Sequence, residues 1–153
     1  MQNQEMIIRE SKETDIKNIL PLMEQLGYPS EIAQLTARFS NFINIPGYGV
    51  AIAMSNDNVI GLIAWSKSSL FVKDGSRIHI EALVVDKEHR RLGVGQALIK
   101  YLEKHIKKDK NICHIDLTSG TRRAVDGSHD FYDKLGYKND GYMSKVYLRK
   151  ELV

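Results

Sequence analysis

Between Arg90 and His105 the chain reads RRLGVGQALIKYLEKH. Two glycines, Gly93 and Gly95, stand at the head of a helical pattern, although glycine inside a helix costs about 1 kcal/mol relative to alanine. Without Cβ atoms, the amides there can come close to a bound group. A helix start carries unpaired N–H groups and partial positive charge, which suit an anion. Arg90 and Arg91 add two guanidinium groups that match phosphate oxygens. The R-x-x-G-x-G spacing therefore suits a pyrophosphate. Its plainer reading is a tight strand-to-helix turn with surface arginines. Two other glycine loops do not fit: the dinucleotide fingerprint G-x-G-x-x-G fails at Leu98, and the G-K-[ST] of a P-loop does not occur.

A second chemical feature lies just upstream. Glu81 interrupts RIHIEALVV, a run otherwise apolar from Ile80 to Val85. A carboxylate is costly to bury unpaired, so Glu81 must face a cleft or a partner. Strand alternation puts His79 on its face. A cross-strand ion pair with Arg77 or a neighbour is the structural alternative. The His79-x-Glu81 pair also occurs in zinc deaminases, but that signature needs a later P-C-x-x-C, and Cys113 is the single cysteine. The remaining histidines are scattered, so no metal is expected.

These residues need elements to hold them. MIIRE (6–10) reads as a first strand. Ile16, Ile19, Leu20, Met23 and Leu26 form a helical face ending at Gly27, with Pro21 predicting a kink or two short helices. Ser30 suits the N-cap of a second helix whose face is Ile32, Leu35, Phe39 and Phe42. Residues 48–54 and 58–71 read as a hairpin turned by SNDN, and 77–85 as the next strand, covered on both faces at its end. A helix follows from Gly93 to about Lys108, then a strand over 112–119. A short helix over 128–135 stops at Gly136, and a last strand spans 142–150. The order predicts an α/β (α+β) fold: a mixed, mostly antiparallel central sheet flanked by helices, with one β-α-β crossover. One domain over 1–153 is expected, without repeats or linkers.

Composition narrows the function. Hydrophobic residues make up 42% and charged residues 27%, ordinary for a soluble globular chain. A net charge of +3 is too modest to argue nucleic-acid binding. The cluster Lys100, Lys104, Lys107, Lys108 and Lys110 reads as the usual complement to a helix C-terminus, with no aromatic platform beside it. The start, MQNQEMIIRESKETD, has no apolar leader core, and no run approaches a membrane span. The expectation is a cytoplasmic, unanchored protein with no nucleic-acid or membrane partner.

The block IEALVVDKEHRRLGVGQALIKYLEKH resembles the acetyl-CoA-binding motif of the GNAT superfamily of N-acetyltransferases, and HDFYDKLGYK resembles that family's late helix-strand motif. The element order matches over essentially the whole chain. The resemblance implies acetyl-CoA as co-substrate, with its pyrophosphate on amides from Leu92 through Gly93, Val94 and Gly95 to Gln96, beside Arg90 and Arg91. It implies pantetheine lying along Leu83, Val84 and Val85, where a bulge in the 77–85 strand splays the sheet. Thr118 and Ser119 could hydrogen-bond the pantetheine amides or serve as plain turn residues. Arg122 or Arg123 would stand in for a contact that the family often makes from the position of Val125. His129 could line the same site or sit on a helix surface.

For catalysis, the resemblance implies Tyr132 as the acid that protonates the leaving thiolate, since a phenol titrates near 10 and is well matched to it. Glu81 is then the base that deprotonates the amine, often through water, with His79 as alternate. Acetyl would pass directly to a primary amine of a small molecule or peptide, because Cys113 has no evident base for covalent catalysis. Acceptor contacts are expected from the 12–47 helices and the 66–77 connection. Family habit implies a possible homodimer. The alternative is a non-catalytic acetyl-CoA-binding sensor or interaction module.

Overall fold

The computed structural model describes residues 5–119, 128–141 and 144–153. Five strands, β1 (Met6–Glu10), β2 (Gly49–Ser55), β3 (Asn58–Ser69), β4 (Ser76–Val85) and β5 (Ile112–Asp116), form one sheet in the order β1-β2-β3-β4-β5. The first three junctions are antiparallel. The β2–β3 turn is two residues, Asn56 and Asp57, both with positive φ (49° and 64°). That geometry matches the right-handed twist of the strands, and Asn and Asp tolerate it better than most side chains. β5 joins β4 at their starting ends, where the Ser76 N–H donates to the Asn111 carbonyl (2.8 Å). Starts lying together make the pair parallel, as the helical crossover between them requires.

Helices α1 (Ile16–Leu26) and α2 (Ile32–Ile43) cover one sheet face. Ile16, Ile19, Leu22, Leu35 and Phe39 pack there against Val50, Ile52, Leu62 and Val84. Helix α3 (Val94–Ile106) covers the other face with Leu98, Ile99 and Leu102 fully buried. Gly61 lets it approach, since a Cβ there would come within 3.0 Å of Leu98 and Val94. Gly49 does the same for Trp65, whose ring would lie 2.3 Å from an added Cβ. A further helix, α4 (Ser128–Lys134), follows β5 in the chain. Close packing divides the chain into two units, Met1–Ile115 and Asp116–Val153.

Several sequence expectations change in detail. Pro21 neither breaks nor divides α1, which runs on through it. The proline is solvent exposed, as is Lys17, so the carbonyl that loses its helical partner can be hydrated. The N-cap of α2 is Glu31, reciprocally boxed with Gln34, rather than Ser30, whose hydroxyl accepts from Arg38 (3.2 Å). Ile32 stands on the exposed side of that helix rather than in its apolar face. β3 ends at Ser69 and leaves Phe71 exposed, and β5 ends at Asp116 instead of 119. The expected last strand does not form over 144–150, where Val146, Tyr147 and Leu148 are exposed; residues 142 and 143 lie outside the described set. Alternating apolar residues make a strand only when a neighbour completes the ladder, and the described residues supply none there.

One ion pair ties the first strand to the first helix. Arg9 donates two hydrogen bonds to Asp15, each 2.8 Å, and the Lys12 N–H donates a third to the same carboxylate (2.7 Å). Asp15 is buried, at 6% exposure. The Arg9 hydrogen bonds hold its carboxyl below the usual value. A depressed folded value means the stabilisation is fully present above the unfolded carboxylate value of about 3.9 and is lost as pH falls through the folded one. Asp15→Asn should therefore cost about 2 kcal/mol at neutral pH. Urea unfolding across pH should show the wild type losing this advantage below about pH 4, and an advantage that persists at the lowest pH would contradict the assignment.

Candidate functional site

The β3–β4 register is regular except at one residue. Ala64 pairs with Ala82 and Trp65 with Ile80, so Glu81 is left out of the ladder as a bulge. The bulge expected in this strand is therefore present, and it falls on the residue that interrupted the apolar run. It also exchanges the two faces. Before it, Ile80 stands opposite Trp65 on the α3 side; after it, Val84 stands opposite Leu62 in the α1–α2 core. Glu81 is exposed, and its Oε1 accepts the hydroxyl of Ser66 at 2.6 Å. His79 pairs with Ser66 in the ladder, so His79, Ser66 and Glu81 share one side of the sheet. Arg77, the other partner considered for Glu81, donates its Nε to Ser68 (3.1 Å).

Leu83, Val84 and Val85 carry β4 toward the loop. Val84 spends its side chain on the core, so only its backbone can serve a ligand. The loop that follows is braced by a group the sequence reading missed. Asp86 accepts from the Glu88 N–H (3.3 Å) and meets the His89 ring Nδ1 at 2.8 Å. The Gln25 side chain of α1 donates to Asp86 (2.8 Å) and accepts from the Lys87 N–H (2.9 Å). The Gln25 amide first and the His89 ring second hold the Asp86 carboxyl below its ordinary value. Arg90 folds back to donate to the Val85 carbonyl (3.1 Å). An Asp ahead of a short turn is a recognisable cap signal, whereas a glutamine sixty residues upstream offers no signal at all.

Gly93 is the N-cap of α3, with φ 82° and ψ 8°. Only a residue without Cβ holds that left-handed conformation cheaply. An added Cβ would meet nothing within 4 Å, so the space before the helix is open. The helical ladder begins with the Ala97 N–H on the Gly93 carbonyl (3.0 Å). The amides of Val94, Gly95 and Gln96 thus precede it, without intrahelical acceptors. Arg91 also has positive φ (63°), and Arg90, Arg91 and Leu92 are exposed. The helix starts one residue later than expected, and Gly93 serves as its cap rather than its first turn. Open amides, helix polarity and two arginines compose a place for a multiply charged anion.

The second unit holds the other candidates. Tyr132 is half-buried on α4, its ring 5.1 Å from Phe131 and 6.2 Å from Tyr137. Gly136 ends the helix with φ 92°, and the Tyr137 N–H returns to the Tyr132 carbonyl (3.0 Å). His129 and Thr118 are exposed. Ser119 Oγ is shielded from solvent with no hydrogen-bond partner. A buried hydroxyl left unpaired costs about 1–3 kcal/mol, so this atom fits a polar ligand group. Arg122, Arg123 and Val125 lie outside the described residues. Among the described residues no cluster of three or more His, Cys, Asp or Glu could hold a metal, and no helix is long and apolar enough to cross a membrane.

Residues 15–137 match the family model described as the acetyltransferase (GNAT) family. A GNAT family acetyltransferase from Staphylococcus aureus is 25% identical, with 96% of this chain and 98% of that chain covered and a TM-score of 0.79. An aminoglycoside N-acetyltransferase solved in complex with CoA is 17% identical, over 99% and 98% of the two chains, with a TM-score of 0.81. Glucosamine-6-phosphate N-acetyltransferase from Arabidopsis thaliana is 18% identical, over 98% and 100%, with a TM-score of 0.80. At the two lower identities the likeness is one of fold. Among curated proteins, none matches the chain. The mixed sheet, the bulged fourth strand and the glycine-capped helix behind it thus occur in a chain that belongs to the GNAT acetyltransferase family.

Proposed function

We propose that the protein is an acetyl-CoA-dependent N-acetyltransferase that moves acetyl directly to a primary amine of a small molecule or peptide, with residues 1–153 acting as one domain. The observation that carries this is the open, left-handed Gly93 cap at the head of α3, held by the Gln25–Asp86 brace directly after the bulged strand. When bound, acetyl-CoA supplies the thioester-activated acetyl group. Amides from Leu92 to Gln96 and the Arg90 and Arg91 side chains would take its pyrophosphate. The edge of β4 near Leu83, Val84 and Val85 would take the pantetheine through backbone groups. The unpaired Ser119 hydroxyl offers one hydrogen bond to a ligand, and Ser119, Thr118 and His129 are assigned to the pantetheine on the motif resemblance.

Glu81 is assigned as the base. Its exposed carboxylate can accept the proton of an ammonium, directly or through water, with His79 as the alternate on the same side of the sheet. Tyr132 is assigned as the proton donor to the departing thiolate, on its phenol and its place in HDFYDKLGYK. The fold neighbours named above act on glucosamine 6-phosphate and on aminoglycosides, both amine-bearing, which supports an amine acceptor here.

Free CoA release should be followed with a panel of glucosamine 6-phosphate, kanamycin, spermidine and a lysine-containing peptide. Turnover with at least one amine is expected; tight acetyl-CoA binding without release from any would identify a sensor instead. Gly93→Asp adds bulk and negative charge where the anion would sit, and should abolish CoA binding in calorimetry. Unchanged affinity would remove the loop from the site. Tyr132→Phe should lower kcat at least about 100-fold while leaving CoA affinity within a few-fold; full turnover would end its role as acid. Glu81→Gln should lower kcat most at low pH, where the amine carries its proton, and no loss there would move the base to His79 or solvent.

A further inference from the structure

We propose that Ser66 is a positioning residue that aims the Glu81 carboxylate, an inference that rests on Glu81 being the base. A bulged residue lacks the ladder partner that orients its neighbours, and a glutamate side chain has three rotatable bonds to restrain. Ser66 supplies the missing restraint. It is buried at 8% exposure, on β3, in the ladder position opposite His79. Its hydroxyl reaches across the bulge to Glu81 Oε1 at 2.6 Å, the short distance of a bond to an ionised acceptor. A buried serine in a strand of Leu62, Ile63, Ala64 and Trp65 has no packing rationale of its own, since an alanine would fill the space and leave no hydroxyl to satisfy. With Oε1 occupied by Ser66, the second oxygen of the exposed carboxylate is the one presented to water or an amine. The backbone bulge sets where Glu81 stands, and the Ser66 hydroxyl sets which way it points.

Ser66→Ala, Ser66→Thr, Glu81→Gln and the Ser66→Ala/Glu81→Gln double variant test this with the panel amine of highest turnover. Ser66→Ala removes one oxygen beside an exposed carboxylate that water can rehydrate, so thermal unfolding should change little. Its kcat should fall about tenfold with KM for acetyl-CoA unchanged. Ser66→Thr keeps the hydroxyl on a strand that favours β-branched residues, and should hold kcat within about threefold of wild type. In the Glu81→Gln background, Ser66→Ala should cause no further loss. Full activity in Ser66→Ala alongside a deficient Glu81→Gln overturns the role of Ser66 alone. So does an equal loss from Ser66→Ala in both backgrounds. Undiminished kcat in Glu81→Gln overturns the base assignment, and the role of Ser66 with it.

Discussion

One unpaired residue in β4 governs how the first unit is put together. Up to Ile80 the strand gives alternate side chains to the α3 layer, and from Ala82 onward the phase is reversed. A one-residue change of register moves every later side chain to the opposite face. Were Glu81 paired like its neighbours, Val84 would leave the α1–α2 core and Leu83 would enter it. The bulge thus lets one strand feed two different helical layers along its length. It also puts a carboxylate at the only place in the strand where no ladder position claims it. Packing phase and the placing of the candidate base therefore share a single cause in the backbone.

The same economy holds at the end of the strand. Gly93 has a conformation that a Cβ would strain, and its surroundings are open rather than crowded. The glycine is required by the chain direction and by access to the amides behind it. The loop leading there is not held by its own residues alone. Gln25, near the end of α1, makes two hydrogen bonds to it, so the helix that fills one core also fixes the entrance to α3. Movement of α1 and movement of this loop are mechanically linked.

Much of this was legible in the sequence because its causes are local. Glycines at a strand-to-helix junction, a turn rich in Asn and Asp, and 3.6-residue apolar spacing over α1 and α3 each act within a few residues. The succession of elements along the chain from β1 to β5 and the glycine turn into α3 follow from them. Glu81 stood out because a charge within an apolar strand needs a reason. What was not legible is what depends on distant partners. Gln25 on Asp86 and Ser66 on Glu81 are pairings between separate elements, set by packing and register that no short window contains. The expected strand over 142–150 failed for the related reason that alternation describes a strand's faces but does not provide its neighbour. Ser30 lost its capping role to Glu31 because a Glu–Gln box satisfies the same amides one residue later.

The topology carries a kinetic consequence as well. Strands β2, β3 and β4 follow one another in the chain and pair in that order, so their meander assembles from segments that are never far apart. β1 is different: it joins β2 only after about forty intervening residues have been gathered into two helices, an entropic cost of about 3 kcal/mol for loop closure. Since the Arg9–Asp15 clasp fastens β1 to the start of α1, strand and helix can arrive as one preassembled piece. Nucleation is then cheapest in the meander, and the amino-terminal edge of the sheet is the last seam to be sewn.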